Sequence, residues 1–170
     1  MAIAVQGKKR LFLIGFAVTL VAAMISLILA SILMQQKTSA PNTDYEMTSI
    51  VMGGHVFMAR TPMTEDAQVL GLSGTESLTD SQAMLFVFEY NQRWGIWMKD
   101  MKIPIDIVWL NAEKKIIHVE KNAQPDSYPT VFRPDQDARY VIETAAGRSD
   151  DLGVKLGDSV QFTDPKKGNS

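Results

Sequence analysis

Asp106 is a carboxylate set inside an apolar run. The segment Ile105-Asp-Ile-Val-Trp-Leu110 has the length and composition of a buried strand. An ionised group among such neighbours must be paired, hydrogen-bonded or functional, because isolated burial is expensive. Side chains alternate along a strand, so Asp106 shares one face with Val108 and Leu110 while Ile105, Ile107 and Trp109 share the other. Glu143 poses the same puzzle at the end of Tyr140-Val-Ile-Glu143, where it shares a face with Val141. Two readings stand open. A structural carboxylate would accept backbone N–H bonds or pair with Lys99 or an arginine. A pocket acid would anchor a ligand, its pKa raised if poorly paired. On neighbouring strands, Asp106 and Glu143 also have the residue types of a general acid and base for glycoside hydrolysis, which requires a defined separation between them.

Just upstream, Trp97, Lys99 and Asp100 cluster beside a turn marked by Pro104. With Asp106 and Glu143 they are the candidate ligand-binding residues. Trp94, Trp97 and Trp109 would form a stacking platform for sugars or aromatic ligands if half-exposed, or core if buried. Lys99-Asp100 and Lys102 also read as a solvated turn. Other chemistries lack their residues. His55 and His118 are far apart and have no metal-ligand spacing. Gly71-Leu-Ser-Gly74 is not a nucleophile elbow, and no glycine-rich phosphate loop exists. Met58, Met63, Met84, Met98 and Met101 are scattered, which fits core filling better than a copper(I) site. No metal and no cofactor is expected.

The elements that must position these residues are mostly short strands. Val51 to Ala59, with Gly53-Gly54 inside, reads as a bent strand. Met63 to Leu72 reads as a short helix capped by Thr64, with Glu65 and Asp66 in its first turn and Gly71 at its end. Ala83 to Phe88, Arg93 to Met98, Ile105 to Leu110, Lys115 to Lys121 and Ala138 to Thr144 are further strands. Asn111 to Lys114 is a short polar connection that makes its flanking runs a hairpin. Ala123 to Asp137 has three prolines and no regular period. It reads as a stiff crossover pinned by aromatics, or as a lid closing Tyr128, Phe132 and Arg133 over a site. With little helix and no βαβ alternation, the expected fold is mainly β, a compact sandwich or barrel-like domain with one or two short helices.

A membrane segment precedes that domain. Leu11 to Met34, 24 residues, carries no charge and as a helix would cross a hydrocarbon core of about 30 Å. Lys8, Lys9 and Arg10 precede it and only Lys37 closely follows. The expected layout is therefore a cytoplasmic basic N-terminus (1–10), a single transmembrane helix (11–34), a polar linker (35–49), an extracytoplasmic β domain (50–163) and a tail (164–170). A cleaved secretory signal is the rival, but the run is long for one and Thr38-Ser39-Ala40 is followed by Pro41. Beyond residue 37 there are 13 Lys and Arg against 19 Asp and Glu, a balance of −6 that argues against nucleic acid. With no cysteine, disulfides and lipoprotein attachment are excluded.

An ordered set of motifs adds a family. Gly71-Leu-Ser-Gly74, Met84-Leu-Phe-Val-Phe88, Trp97-Met-Lys-Asp100, Ile103-Pro-Ile-Asp106 and Tyr140-Val-Ile-Glu143 are followed by Gly147 and Gly157-Asp158. Over Val51 to Phe162 the chain resembles the domain-of-unknown-function family 192, also called uncharacterised protein family 0127. The resemblance implies a prokaryotic, often exported or membrane-anchored, mostly β domain with a small helical element and no established activity. The chain departs from the pattern at Ala83, where glycine is usual, at Asp100-Met101 in place of Asn-Thr, and at Leu70 in place of an arginine. The leading expectation is a ligand- or envelope-binding module recognising a small polar ligand, glycan or envelope protein. The alternatives are a hydrolase of envelope carbohydrate using Asp106 and Glu143, and a purely structural domain in which Asp106 holds the turn at Ile103-Pro104.

Overall fold

The computed structural model describes residues 21–31 and 44–165. Residues 21–31 are helical, and among the described residues no helix is long and apolar enough to cross a membrane. The expected basic N-terminus 1–10 lies outside the described residues, as do most of the expected span 11–34, of the linker 35–49 and of the tail 164–170. The chain divides into two compact units, Met1–Pro41 and Asn42–Ser170, the second of which holds the β domain.

That domain is mainly β with a few short helices. Strand β1 (Tyr45–Met52) starts inside the expected linker and pairs antiparallel with β2 (His55–Pro62). The single bent strand expected over this region is thus a hairpin. Gly53 and Gly54 take φ of 57° and 76°, and positive φ at both central positions is what the tight hairpin turn demands. Helix α1 (Glu65–Leu70) forms as its composition dictates. The Thr64 hydroxyl accepts from the Ala67 N–H at 3.2 Å, Glu65 and Asp66 occupy the first turn, and Gly71 ends the helix at φ 52°.

Strand β3 (Gln82–Gln92) then runs parallel to β2. β2–α1–β3 is therefore a crossover, where the sequence pattern had pointed to none. The remaining elements are β4 (Ile96–Trp97), β5 (Ile105–Leu110), β6 (Ile116–Ala123), β7 (Val131–Phe132), β8 (Ala138–Ala145) and helix α2 (Arg148–Asp151). One six-stranded sheet has the order β1-β2-β3-β8-β5-β6, and β4 and β7 form a separate ribbon. β5 and β6 are the expected hairpin, and the Asn111 side chain holds its turn by accepting from the N–H groups of Glu113 and Lys115.

The sheet does not end in two free edges. Val51 of β1 exchanges backbone hydrogen bonds with Gln161, while Val160 donates to Lys114 and Ile116 donates to Asp158 beside β6. The C-terminal segment thus bridges to both edge strands and blunts edges that would otherwise invite aggregation. Alternation sends one set of side chains into the enclosed core, among them Ile50, Phe57, Leu85, Val108, Ile142 and Val160. The other set, including Met84, Phe86, Ile107, Trp109 and Val141, forms a second core on the outer face beneath Leu72, Ile96 and Met98. Fully burying each large apolar side chain contributes about 1.5–3 kcal/mol. Two cores on one sheet therefore suffice for a domain without disulfides.

The β4–β7 ribbon depends on one glycine. A Cβ on Gly95 would lie 2.6 Å from Val131 Cγ1 and 2.8 Å from Arg133 Cζ. Only glycine lets the chain before β4 pass so close to β7. Arg133 completes the clamp by donating to the Arg93 carbonyl at 3.1 Å.

Candidate functional site

Asp106 and Glu143 lie on opposite faces of the sheet. β5 and β8 pair with Asp106 opposite Thr144 and Ile107 opposite Glu143. Asp106 therefore sits with the enclosed-core residues Val108 and Leu110, and Glu143 with the outer-face residues Val141 and Ile107. The acid/base pair of the hydrolase alternative does not form, because the sheet itself stands between the two carboxyl groups.

Asp106 is fully buried and its oxygens are occupied. Oδ1 accepts from the N–H groups of Asn122 at 2.9 Å and Gly147 at 3.1 Å, and Oδ2 accepts from Ser149 at 2.8 Å. Each donor has a local reason to need a partner. The β5–β6 register shifts between Ile105 and Ile107, so β6 carries an extra residue there. Asn122, at φ 55°, has its N–H turned toward the carboxylate. α2 begins at Gly147, which has no side chain to cap it. Asp106 supplies that cap from another element. It does not hold the Ile103-Pro104 turn, contrary to the structural alternative drawn from sequence.

Glu143 is in the opposite condition. It is 4% exposed, and its Oε2 has no hydrogen-bond partner among the described residues. Burial pushes its carboxyl up to about 8, because no charge nearby offsets the loss of water. At pH 7 the group is largely a neutral acid.

This carboxyl lines a cleft of about 470 Å³ on the outer face. Thr64, Glu65, Gln68 and Val69 contribute one wall from α1 and its cap, and Gly71 to Ser73 continue it. Phe86, Phe88 and Tyr90 come from β3, and Trp94, Ile96 and Trp97 from the segment leading through β4. Phe88 and Trp94 stack with ring centres 4.0 Å apart and planes 11° apart, and Tyr90 leans on Trp94 at 5.1 Å. Such a volume, aromatic walls and one buried polar group have the form of a small-molecule site.

The other candidates divide. Trp97 lines the cleft and is 45% exposed, whereas Trp109 is fully buried and donates its indole N–H to the Trp94 carbonyl at 2.8 Å. Lys99 and Asp100 are exposed and outside the cleft lining. Their backbone does the positioning: the Lys99 carbonyl accepts from Ser73 Oγ and the Asp100 carbonyl from the Gly74 N–H, both at 2.8 Å. Asp100 accordingly adopts φ 56°. The proline-rich stretch 123–137 supplies β7, and Phe132 packs into the outer core, as a pinned crossover requires. Sequence reasoning missed Glu65, Gln68, Phe86, Phe88, Glu89 and Tyr90. Their only signal was alternation, which puts Phe86, Phe88 and Tyr90 on one face of β3.

These geometries make two stability predictions. Asp106→Ala orphans the buried Ser149 N–H, at about 1–3 kcal/mol, and the part-buried N–H groups of Asn122 and Gly147 at less, so urea unfolding should show a loss of at least about 1 kcal/mol. Retention of full stability would refute the capping role. For Glu143 the folded pKa is raised, so its stability contribution is greatest below pH 4.5 and is lost as pH rises toward 8. Wild type minus Glu143→Gln, measured by urea unfolding from pH 4 to 9, should fall across that window by up to about 5 kcal/mol. A flat difference would show that the carboxyl is not desolvated.

Comparison with known proteins agrees with this architecture. No curated protein matches the chain. A crystal structure of a protein of unknown function from Novosphingobium aromaticivorans DSM 12444 is similar in fold, with a TM-score of 0.60 and 23% identity over 73% of this chain and 94% of that one. A Sinorhizobium meliloti 1021 protein, whose name proposes a role in transcription regulation, superposes with a TM-score of 0.62 and 21% identity, covering 73% of this chain and 98% of that one. The family model described as DUF192, Uncharacterized ACR, matches residues 48–162, which contain both carboxylates and the whole cleft, and the chain belongs to that family.

Proposed function

We propose that this protein is a membrane-anchored binding module whose β domain holds a small ligand in the outer-face cleft. The observation that carries the reading is Glu143, a buried carboxyl with an unpartnered oxygen in a cleft walled by aromatic rings. A buried polar atom without a partner costs about 1–3 kcal/mol, and a ligand that bonds to it recovers that cost. Trp97 is the second contact, since its half-exposed ring offers a flat apolar face. Asp106, Lys99 and Asp100 act behind the cleft as supports. The uncharged stretch 11–34 and the preceding Lys8, Lys9 and Arg10 support a single-pass anchor with the β domain outside the cytoplasm.

The binding reading is tested on the full-length chain by tryptophan fluorescence, because Trp94 and Trp97 both line the cleft. Titration with cellobiose, benzoate and benzyltrimethylammonium samples a neutral sugar, an aromatic anion and an aromatic cation. At least one should change the emission saturably, and Trp97→Ala should weaken that response about tenfold or more, a loss of roughly 1.4 kcal/mol. No saturable response to any of the three sinks the reading. Orientation is tested separately by adding protease to intact cells: the β domain should be digested, and a protected domain would place it in the cytoplasm.

A further inference from the structure

We propose that the cleft takes an organic cation, an ammonium group carried on a small apolar or aromatic body, with Glu143 as its counter-charge. This rests on the binding reading above and narrows it to one ligand class. The first ground is the charge of the lining. Among the described residues, the charged residues lining the cleft are Glu65, Glu89 and Glu143, and no lysine, arginine or histidine lines it. A cleft of one sign, walled by low-dielectric rings, concentrates the field on an incoming ion of the other sign.

The second ground is the rings. Phe86, Phe88, Tyr90, Trp94 and Trp97 all line the cleft, and aromatic faces carry negative potential that attracts a cation within about 6 Å. A neutral sugar would also stack on Trp97 and hydrogen-bond to a carboxyl group, but it would gain no charge pairing. An anion would be repelled by the ionised carboxyl groups.

The third ground is the surroundings of Glu143. Its strand neighbours across the sheet are Met84 on β3 and Ile107 on β5, both apolar and fully buried. The other titratable residues among the cleft lining are Glu65 on α1 and Glu89 and Tyr90 on β3, all exposed. Lys102, which follows Met101 at the cleft's margin, is paired with Glu76 at 2.9 Å. Among the described residues, no cation lines the cleft to neutralise Glu143, and a ligand cation would pair with it.

A coupled proton distinguishes a cation from any other occupant. Glu143 is largely protonated near pH 7, so pairing with a cation ionises it and releases a proton to solvent. Affinity for the cation should then rise with pH and level off near pH 8. The gain should be about tenfold between pH 6 and 7, one proton per cation bound.

The test compares choline with its neutral isostere 3,3-dimethylbutan-1-ol on the full-length protein, by calorimetry in two buffers of different ionisation enthalpy. Choline should bind at least about tenfold tighter than the alcohol and release close to one proton at pH 6.5. In Glu143→Gln, urea unfolding confirms the fold while proton release should vanish and the preference for choline should drop to within about threefold. Equal binding of the two isosteres, or choline binding without proton release, overturns the cation assignment while leaving a binding cleft in place. If neither isostere binds but cellobiose or benzoate does, the cation assignment also fails and the binding reading survives. Silence from every probe removes both.

Discussion

Neighbouring residues of a β-strand face opposite ways, and that two-residue period decides what each carboxylate in this domain can do. Across the β5–β8 pair, Asp106 meets Thr144 and Ile107 meets Glu143. A slip of one residue would carry Glu143 into the enclosed core and expose Ile142 or Thr144 to the cleft. Asp106 resists that slip. Its carboxylate is bonded at once to the extra residue of β6 and to the start of α2, which follows β8 directly in the chain. The buried carboxylate with every oxygen occupied thus fixes the register that turns the unoccupied one toward the cleft.

Local chemistry was legible in the sequence wherever a residue acts on its own neighbours. The Thr64 cap, the Gly71 stop and the limits of β5 could all be read, because each depends on a few consecutive residues. Long-range pairing could not. Gly53-Gly54 looks alike in a bent strand and in a tight turn, and only the partner strand decides. The helix of the β2–α1–β3 crossover could be read, but not that it joins two parallel strands, because that pairing sets Met58, Ala59 and Arg60 against Gln82, Ala83 and Met84, more than twenty residues on. The bridging by Ser159 and Gln161 depends on two edges that are distant in sequence from this segment. For the site, composition flagged Asp106 and Glu143 equally, as carboxylates in apolar strands. What separates them is the set of N–H donors around each, and those come from residues 16 to 43 positions away from Asp106.

Glu143 is expensive by any physical measure. A leucine or methionine of similar volume would bury more apolar surface and leave no unpartnered oxygen. Such local conflicts between sequence and stability concentrate at functional sites, where the group is kept for what it does to a ligand. Asp106 shows the contrast: it is equally buried, but its burial is repaid by three hydrogen bonds inside the protein. Burial alone therefore carries no functional meaning in this domain. An unpartnered oxygen beside open space does.

The segment from Trp97 to Asp106 ties these two conditions together. Its first residue is a wall of the cleft and its last is the anchor of the enclosed core. Between them, the carbonyls of Lys99 and Asp100 hold Ser73 and Gly74, and so fix the loop whose Gly71, Leu72 and Ser73 form the opposite side of the cleft. Asp100 reaches that geometry only at positive φ, a conformation that asparagine and aspartate tolerate best among residues with a side chain. The charged side chains of Lys99 and Asp100, which looked like the chemistry of the segment, point to solvent while their backbone sets the width of the cleft. What the segment encodes is the spacing between Trp97 and the α1 wall, and that spacing decides how large a ligand can reach Glu143.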